Sequence, residues 1–233
     1  MRKYIFDVDG TLTPSRMMMD EAFRLWFINF CADNDVYLVT GSDKNKTFGQ
    51  IGKQVYDSVK KVYQCQGNDV WIGDELNVKT MDMKVPEAME ALLEHFLEES
   101  KFPYRTGNHI EVRPGLINFS IVGRNATIEQ RREYIKWDLR VKERALLAQM
   151  IREANEMYDV SVAGETGIDI VRAGLNKSQI LKDFDAKNVV FFGDKCEEGG
   201  NDYEIALRTK QCGGTVYQVD GWEHTWELLK NIQ

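Results

Sequence analysis

The segment Tyr4-Ile5-Phe6-Asp7-Val8-Asp9-Gly10-Thr11 decides how the rest of the chain is read. An apolar run predicts a first strand, and it gives way at once to two carboxylates separated by one residue. Side chains alternate along a strand, so the pair stays on one side only while the backbone remains extended. Gly10 then allows a sharp turn. Two like charges this close are costly unless a cation, a phosphate or a shared proton settles them. An acidic turn after a strand is the plain alternative, since Asp and Gly are common turn formers. Partners that recur later in the chain favour a carboxylate nucleophile beside a carboxylate acid/base, with Mg²⁺ bound.

Composition narrows the field. The chain has 233 residues, 43% hydrophobic and 29% charged, as expected of a folded globular protein of one or two domains. A net charge of -7 argues against general affinity for nucleic acid or an acidic membrane surface. No apolar run approaches ~20 residues, so no membrane-spanning helix is expected. The N-terminus enters a strand without an apolar signal core, which points to the cytoplasm. Cys31, Cys65, Cys196 and Cys212 fall outside C-x-x-C spacing, so free thiols are expected rather than a zinc site.

Outward from the acidic loop, Met17 to Ala32 reads as a helix with Met18, Ala22, Leu25, Trp26 and Phe30 at helical spacing and methionines filling the core. Val36 to Val39 reads as a strand ending at Thr40-Gly41-Ser42, followed by a helix from Asp43 toward Ile51. Lys61 to Cys65, Asp69 to Ile72 and Leu76 to Val78 read as strands. This rhythm predicts an α/β core, a Rossmann-like parallel sheet. It is interrupted by a helix over Pro86 to Glu99, strands over His109 to Arg113 and Leu116 to Val122, and one long helix over Ile128 to Met157. Two more strands follow, Val160 to Ala163 and Ile168 to Val171. These predict an inserted α+β cap over 81–174, leaving 1–80 and 175–233 as a discontinuous core. A helix from Asn176 to Phe184 and a buried strand from Val189 to Phe192 restore the rhythm. A helix from Asp202, a strand from Thr215 to Val219 and a helix from Trp222 close the chain.

Four stations then stand in order: Asp7 with Asp9, Thr40-Gly41-Ser42, Lys177, and Gly193-Asp194 running to Gly199-Gly200-Asn201-Asp202. Ligands of open parallel sheets sit beyond the carboxyl ends of the strands, so three stations converge by topology. Phosphoryl transfer needs a nucleophile, charge neutralisation and aligned donors, and a carboxylate serves as nucleophile through an aspartyl-phosphate. Asp7, Asp194 and the Asp9 carbonyl offer Mg²⁺ hard oxygen ligands. Lys177 with Thr40, Gly41 and Ser42 would hold the phosphate oxygens.

In this order the stations resemble the haloacid dehalogenase superfamily. That resemblance implies Asp7 as nucleophile, Asp9 as acid/base, and Asn201 and Asp202 supporting the metal ligands. A closer resemblance is to the eukaryotic-type phosphomannomutases. It is carried by DVDGTLTPSR over 7–16, by Ile110-Glu111-Val112-Arg113 with Gly115-Leu116-Ile117-Asn118, by Gly123-Arg124 and Arg131, and by Phe191-Phe192-Gly193-Asp194-Lys195. It implies that Arg16, Arg113, Arg124 and Arg131 grip a second phosphate while Asp169 meets sugar hydroxyls. It further implies a hexose 1,6-bisphosphate activator, a homodimer through the cap, and a place in GDP-mannose supply. The chain departs from that family at Gly167, at Arg172-Ala173-Gly174-Leu175 and at Thr40-Gly41-Ser42. Ala206-Leu207-Arg208-Thr209 lacks the aspartate of a second cation site.

The expected activity is interconversion of mannose 6-phosphate and mannose 1-phosphate. A mutase must hold one phosphate at the nucleophile and another at the far end of the sugar, and guanidinium forks suit the second task. A sugar-phosphate phosphatase of the same superfamily is the enzymatic alternative. A silent phosphosugar sensor is the non-enzymatic one, and the joint presence of Asp7, Asp9, Lys177 and Asp194 argues against it.

Overall fold

The computed structural model describes residues 1–232 and divides the chain into two compact units, Met1–Thr80 with Leu175–Gln233, and Met81–Gly174. In chain order the elements of the first unit begin β1 (Lys3–Phe6), α1 (Glu21–Asp33), β2 (Asp35–Val39), α2 (Lys44–Ser58), β3 (Lys61–Gln64), β4 (Asp69–Ile72) and β5 (Glu75–Lys79). The second unit follows with α3 (Glu87–Glu99), β6 (Ile110–Arg113), β7 (Leu116–Phe119), α4 (Ile128–Val141), α5 (Glu143–Ala154), β8 (Tyr158–Ala163) and β9 (Gly167–Arg172). The first unit resumes with β10 (Val189–Gly193), α6 (Tyr203–Gln211), β11 (Thr215–Gln218) and α7 (Trp222–Ile232).

The first unit is built on one seven-stranded sheet in the order β11-β10-β1-β2-β3-β4-β5. The strands from β11 through β3 run parallel. Val189 to Gly193 is buried throughout, the near-continuous apolar run expected of a strand covered on both faces. The expectation of a purely parallel sheet is corrected at one edge. There β4 runs antiparallel to β3, and β5 antiparallel to β4. The short connections around Gly67 and Gly73 force this, since a parallel return needs a crossover of a dozen residues or more.

Helix α1 begins at Asp20, whose carboxylate caps it by accepting the Phe23 N–H at 3.0 Å. Its start lies four residues later than the apolar pattern suggested, so Met17 and Met18 are exposed and only Met19 is buried. The inward face is Phe23, Phe27, Phe30 and Cys31, while Leu25 is more than half exposed. The aromatic spacing set the phase of the helix, and the methionines had no part in it. These rings pack with Phe6, Phe192, Trp222 and Trp226 into the larger core of this unit.

Helix α2 runs to Ser58, well past Ile51, and is interrupted at Gly52, whose φ of 76° lies outside helical space. The expected helix over Asn176 to Phe184 is instead a 3₁₀ segment, Lys177–Asp183. The Asn176 side chain caps it by accepting the Ser178 N–H at 2.9 Å, which fixes where Lys177 begins.

The second unit packs α3, α4 and α5 against one face of the antiparallel sheet β6-β7-β9-β8. Ile117, Phe119, Ile168, Ile170 and Val160 point into that core. The alternate residues carry the other face, where Glu111, Asn118, Asp169 and Ser161 form one row across the strands in register. The long helix expected over Ile128 to Met157 is two helices, broken at Lys142 in the left-handed conformation (φ 56°, ψ 35°). Asp138 anchors the break by accepting from the N–H and guanidinium of Arg144 at 2.8 and 2.9 Å. No described helix is long and apolar enough to cross a membrane.

Lys142 occupies a conformation that costs a side-chain-bearing residue about 1–2 kcal/mol, and its own side chain is exposed. Lys142→Gly is therefore expected to raise stability by about 0.5–1 kcal/mol after the entropy cost of glycine. Urea unfolding would read this as a higher midpoint at unchanged slope.

Candidate active site

The site forms where β10, β1 and β2 end side by side. Asp7 follows β1, and its N–H donates to the Phe192 carbonyl at 2.9 Å, which continues the sheet's bonding one residue beyond the strand. Asp194 follows β10, and Thr40 follows β2. Gly10 carries φ of +87°, and a Cβ there would stand 2.5 Å from Asp194 Oδ2. Only glycine permits both the turn and this approach of the first loop to the Asp194 carboxylate.

Lys177 is completely buried, and its ammonium donates to Asp7 Oδ1 and to Asp202 Oδ1, both at 2.6 Å. Asp202 is just as inaccessible, and its second oxygen accepts the Lys195 N–H at 3.2 Å. Asp202, expected to support the metal ligands, shares the lysine with Asp7. Carboxylate oxygens of Asp7, Asp194 and Asp202 all lie within 4.8 Å of one another. Lys195 Nζ lies 3.0 Å from Asp194 Oδ2, so three acidic groups meet two ammonium groups. Burial, which raises the Asp7 pKa well above the ordinary carboxyl range, outweighs the lowering influence of Lys177, and Asp202 and Asp194 add to the rise. Asp194 is pushed up to about 6, first by burial and then by Asp202. The Lys177 pKa is raised even though burial opposes it, because Asp202 and Asp7 favour its charged form.

This donor set fits a hard divalent cation. The ligand atoms are oxygens, acidic groups outnumber basic ones, and Asn201, next in the chain to Asp202, has a buried Oδ1 with no hydrogen-bond partner. Asp7 and Asp194 would hold such an ion, with Asp202 as the third carboxylate.

The side chain of Asp9 turns elsewhere. Its oxygens accept from the Arg16 N–H at 2.8 Å, Gln50 Nε2 at 3.0 Å, Ser42 Oγ at 3.2 Å and Lys46 Nζ at 2.9 Å. Burial alone would raise the Asp9 pKa, but the Lys46 charge and these hydrogen bonds hold it down at about 2. Ser42 and Thr40 are buried, with the Ser42 N–H donating to Thr40 Oγ1 at 3.1 Å, and Gly41 lies between them. Asp43 caps α2 by accepting the Lys46 N–H at 2.9 Å. Sequence reasoning missed Lys46 and Gln50. The signal was present, since Lys46 and Gln50 are spaced by four and so share one face of α2.

In the second unit, Arg113 and Arg124 share Glu111, at 2.8 and 2.6 Å to its two oxygens. Arg124 also bonds Asn118, whose amide donates to Asp169 Oδ1 at 2.5 Å. Arg113, Arg124 and Asp169 thus belong to one network along the polar row of the sheet. Arg131 stands apart, on Glu165 at 3.1 Å and Thr166 Oγ1 at 3.2 Å. Gly167 has a packing reason, because a Cβ there would meet the Asn118 amide at 2.8 Å. Arg16 belongs to the first unit, where its exposed side chain follows Asp9 in a left-handed turn.

An acid at the end of the central parallel strand, bridged by a buried lysine to a second acid, stands on a haloacid dehalogenase-like fold. A sugar phosphatase of haloacid dehalogenase subclass IIB superposes with a TM-score of 0.60 at 12% identity, covering 100% of this chain and 99% of its own. The sequence matches the eukaryotic phosphomannomutase family over residues 26–232, and the chain belongs to that family. It is 31% identical to the phosphomannomutase of Saccharomyces cerevisiae, over 93% of this chain and 89% of the yeast protein. It is 34% identical to that of Spinacia oleracea, over 91% and 89%.

Removing the buried cation tests the electrostatics of the site. Lys177→Met is expected to cost about 3–5 kcal/mol of stability, because it leaves buried carboxylates uncompensated. Chemical denaturation near neutral pH would measure the loss, and a loss below about 1 kcal/mol would contradict a charge-paired Lys177.

Proposed function

We propose that this protein is a Mg²⁺-dependent hexose-phosphate mutase that interconverts mannose 6-phosphate and mannose 1-phosphate. The observation that carries the reading is the Asp7–Lys177–Asp202 bridge, set in a chain of the eukaryotic phosphomannomutase family. Asp7 is the nucleophile, and Lys177 offsets the charge that builds on the transferring group. Bound Mg²⁺ would neutralise phosphate charge, held by Asp7, Asp194 and the Asp9 carbonyl. The Asp202 carboxylate supports that set from within the same acidic cluster. Asp9 exchanges protons with the sugar hydroxyl and with the leaving oxygen. Thr40, Gly41 and Ser42 bind the phosphate under transfer. Arg16, Arg113, Arg124 and Arg131 bind the other one, and Asp169 orients the sugar. A hexose 1,6-bisphosphate primes Asp7. The second unit serves as the cap that selects the substrate and pairs two copies of the chain, and the protein works in the cytoplasm.

Incubation with Mg²⁺, mannose 1-phosphate and a trace of glucose 1,6-bisphosphate is expected to yield mannose 6-phosphate in excess over free phosphate. Free phosphate without the isomer would replace the mutase with the sugar-phosphate phosphatase. Asp7→Asn should abolish turnover of either kind, and persistent turnover would remove Asp7 as nucleophile.

The metal has its own test. The folded pKa of Asp194, about 6, lies above the ordinary 3.8. Its contribution therefore favours the fold at low pH and is lost as pH rises through about 6 in the metal-free protein. Proton and Mg²⁺ compete for the same oxygens. Saturating Mg²⁺ is expected to raise the melting temperature more at about pH 7.5 than at about pH 5. Equal shifts would place the ion elsewhere.

A further inference from the structure

The Asp9 carboxylate is saturated. An ionised carboxylate is an acceptor-only group with about four lone-pair sites. Oδ1 takes Arg16 N–H and Gln50 Nε2, and Oδ2 takes Ser42 Oγ and Lys46 Nζ. Lys46 also donates to Ser42 Oγ at 2.8 Å, and Gln50 to Thr13 Oγ1 at 3.1 Å, so the donors are themselves braced. These bonds are not needed to start α2, since Asp43 already caps that helix. They instead aim Lys46 and Gln50 of α2, with Ser42 just ahead of that helix, at the single carboxylate expected to move protons. A base whose lone pairs are all engaged accepts no proton.

The Lys46 side chain is 30% exposed and that of Asp9 15%, so water reaches the edge of this cluster. Resting on the phosphotransferase reading above, we propose that Lys46 and Gln50 are positioning residues. They latch Asp9 so that it cannot activate water against a phosphorylated Asp7. The step held back is hydrolysis: a water oxygen bonds to phosphorus, the Asp7 oxygen–phosphorus bond breaks, and the water proton passes to Asp9. Inorganic phosphate and the free Asp7 carboxylate remain. Ser42 is the joint of the latch. Its hydroxyl has one hydrogen, which goes either to Asp9 or to a phosphate oxygen. A sugar phosphate that draws it away opens a lone pair on Asp9 at the moment a sugar hydroxyl is there to use it. The latch thus biases the phosphoenzyme toward transfer and against water.

The phosphoenzyme lifetime tests this directly. The whole protein is labelled with radioactive glucose 1,6-bisphosphate and Mg²⁺ and freed of sugar, and phosphate release is followed. Isomerisation of mannose 1-phosphate is assayed in parallel. Lys46→Met and Gln50→Leu are each expected to shorten the lifetime about 10-fold or more, within the range a general base contributes. Both should raise the ratio of phosphate to isomer, whereas Lys46→Arg should keep the wild-type ratio. A merely structural role would lower both products together and leave the ratio fixed. Unchanged or longer lifetimes in the Met and Leu variants would overturn the latch. So would a Lys46→Met protein that folds but cannot be labelled, since Lys46 would then hold the phosphate. The two variants act on opposite oxygens, so a folding failure in one leaves the other to decide. A wild type that is labelled but makes no isomer defeats the mutase reading alone, and the lifetime comparison still stands.

Discussion

A single ammonium, buried without solvent contact, holds two aspartates that lie far apart in the chain. Lys177 reaches Asp7 on one side and Asp202 on the other at 2.6 Å. Several other features of the first unit serve that contact. The cap at Asn176 fixes the start of the 3₁₀ segment, and Gly193 makes room for Asp202, since a Cβ there would meet its Oδ2 at 2.7 Å. The parallel run of β10, β1 and β2 brings Asp194 and Asp7 to one edge. A buried pair of this kind is weak evidence of stability, because desolvation offsets most of the attraction. Here three acids, Asp7, Asp194 and Asp202, meet two ammonium groups, Lys177 and Lys195, so the acidic groups are in surplus.

The two aspartates of the opening motif are separated by one residue and live in opposite electrostatic settings. Asp7 sits among acids and its carboxyl is driven up by burial, while Asp9 sits among donors and is held at about 2. Divergent environments for adjacent acids are a common way to assign them different tasks. The divergence here comes from the loop. Val8 is buried, and its carbonyl accepts the N–H groups of Thr11, Leu12 and Thr13, so the chain folds back on itself and turns Asp9 toward α2.

Much of this was legible in the sequence, for identifiable reasons. The strand-then-acid pattern at Phe6-Asp7 and at Gly193-Asp194 located both β1 and β10, because buried parallel strands leave uninterrupted apolar runs. The change from βα rhythm to paired strands marked the beginning of the second unit. The failures were local. A helix phase was read through Met18, Ala22, Leu25, Trp26 and Phe30, whereas the buried face is Phe23, Phe27, Phe30 and Cys31. A continuous helix was drawn through Lys142, because no glycine or proline announces the break and only the Asp138–Arg144 contact sustains it. Lys46 and Gln50 were overlooked because a lysine and a glutamine on a polar helix face look like ordinary solvated residues. Their task is set by what Asp9 does, and no spacing rule states that. The sharing of Lys177 by Asp202 was hidden for a similar reason, since an acid inside a glycine-rich loop reads as a turn.

The order of strands in the sheet has a consequence for how the protein is made. Strand β1 precedes the second unit in the chain, yet one of its two neighbours is β10, which follows that unit, with Lys3 against Val189 and Phe6 against Phe192. The second unit, by contrast, is one unbroken stretch, Met81–Gly174, that holds its own apolar core. Chains commonly fold unit by unit as they emerge from the ribosome. The strand that carries Asp7 must therefore wait, half-paired, while an entire neighbouring unit is translated. Its sheet closes only when β10 and β11, on the far side of that unit in the sequence, have emerged. Asp7 therefore meets Lys177 only after the whole second unit has been made.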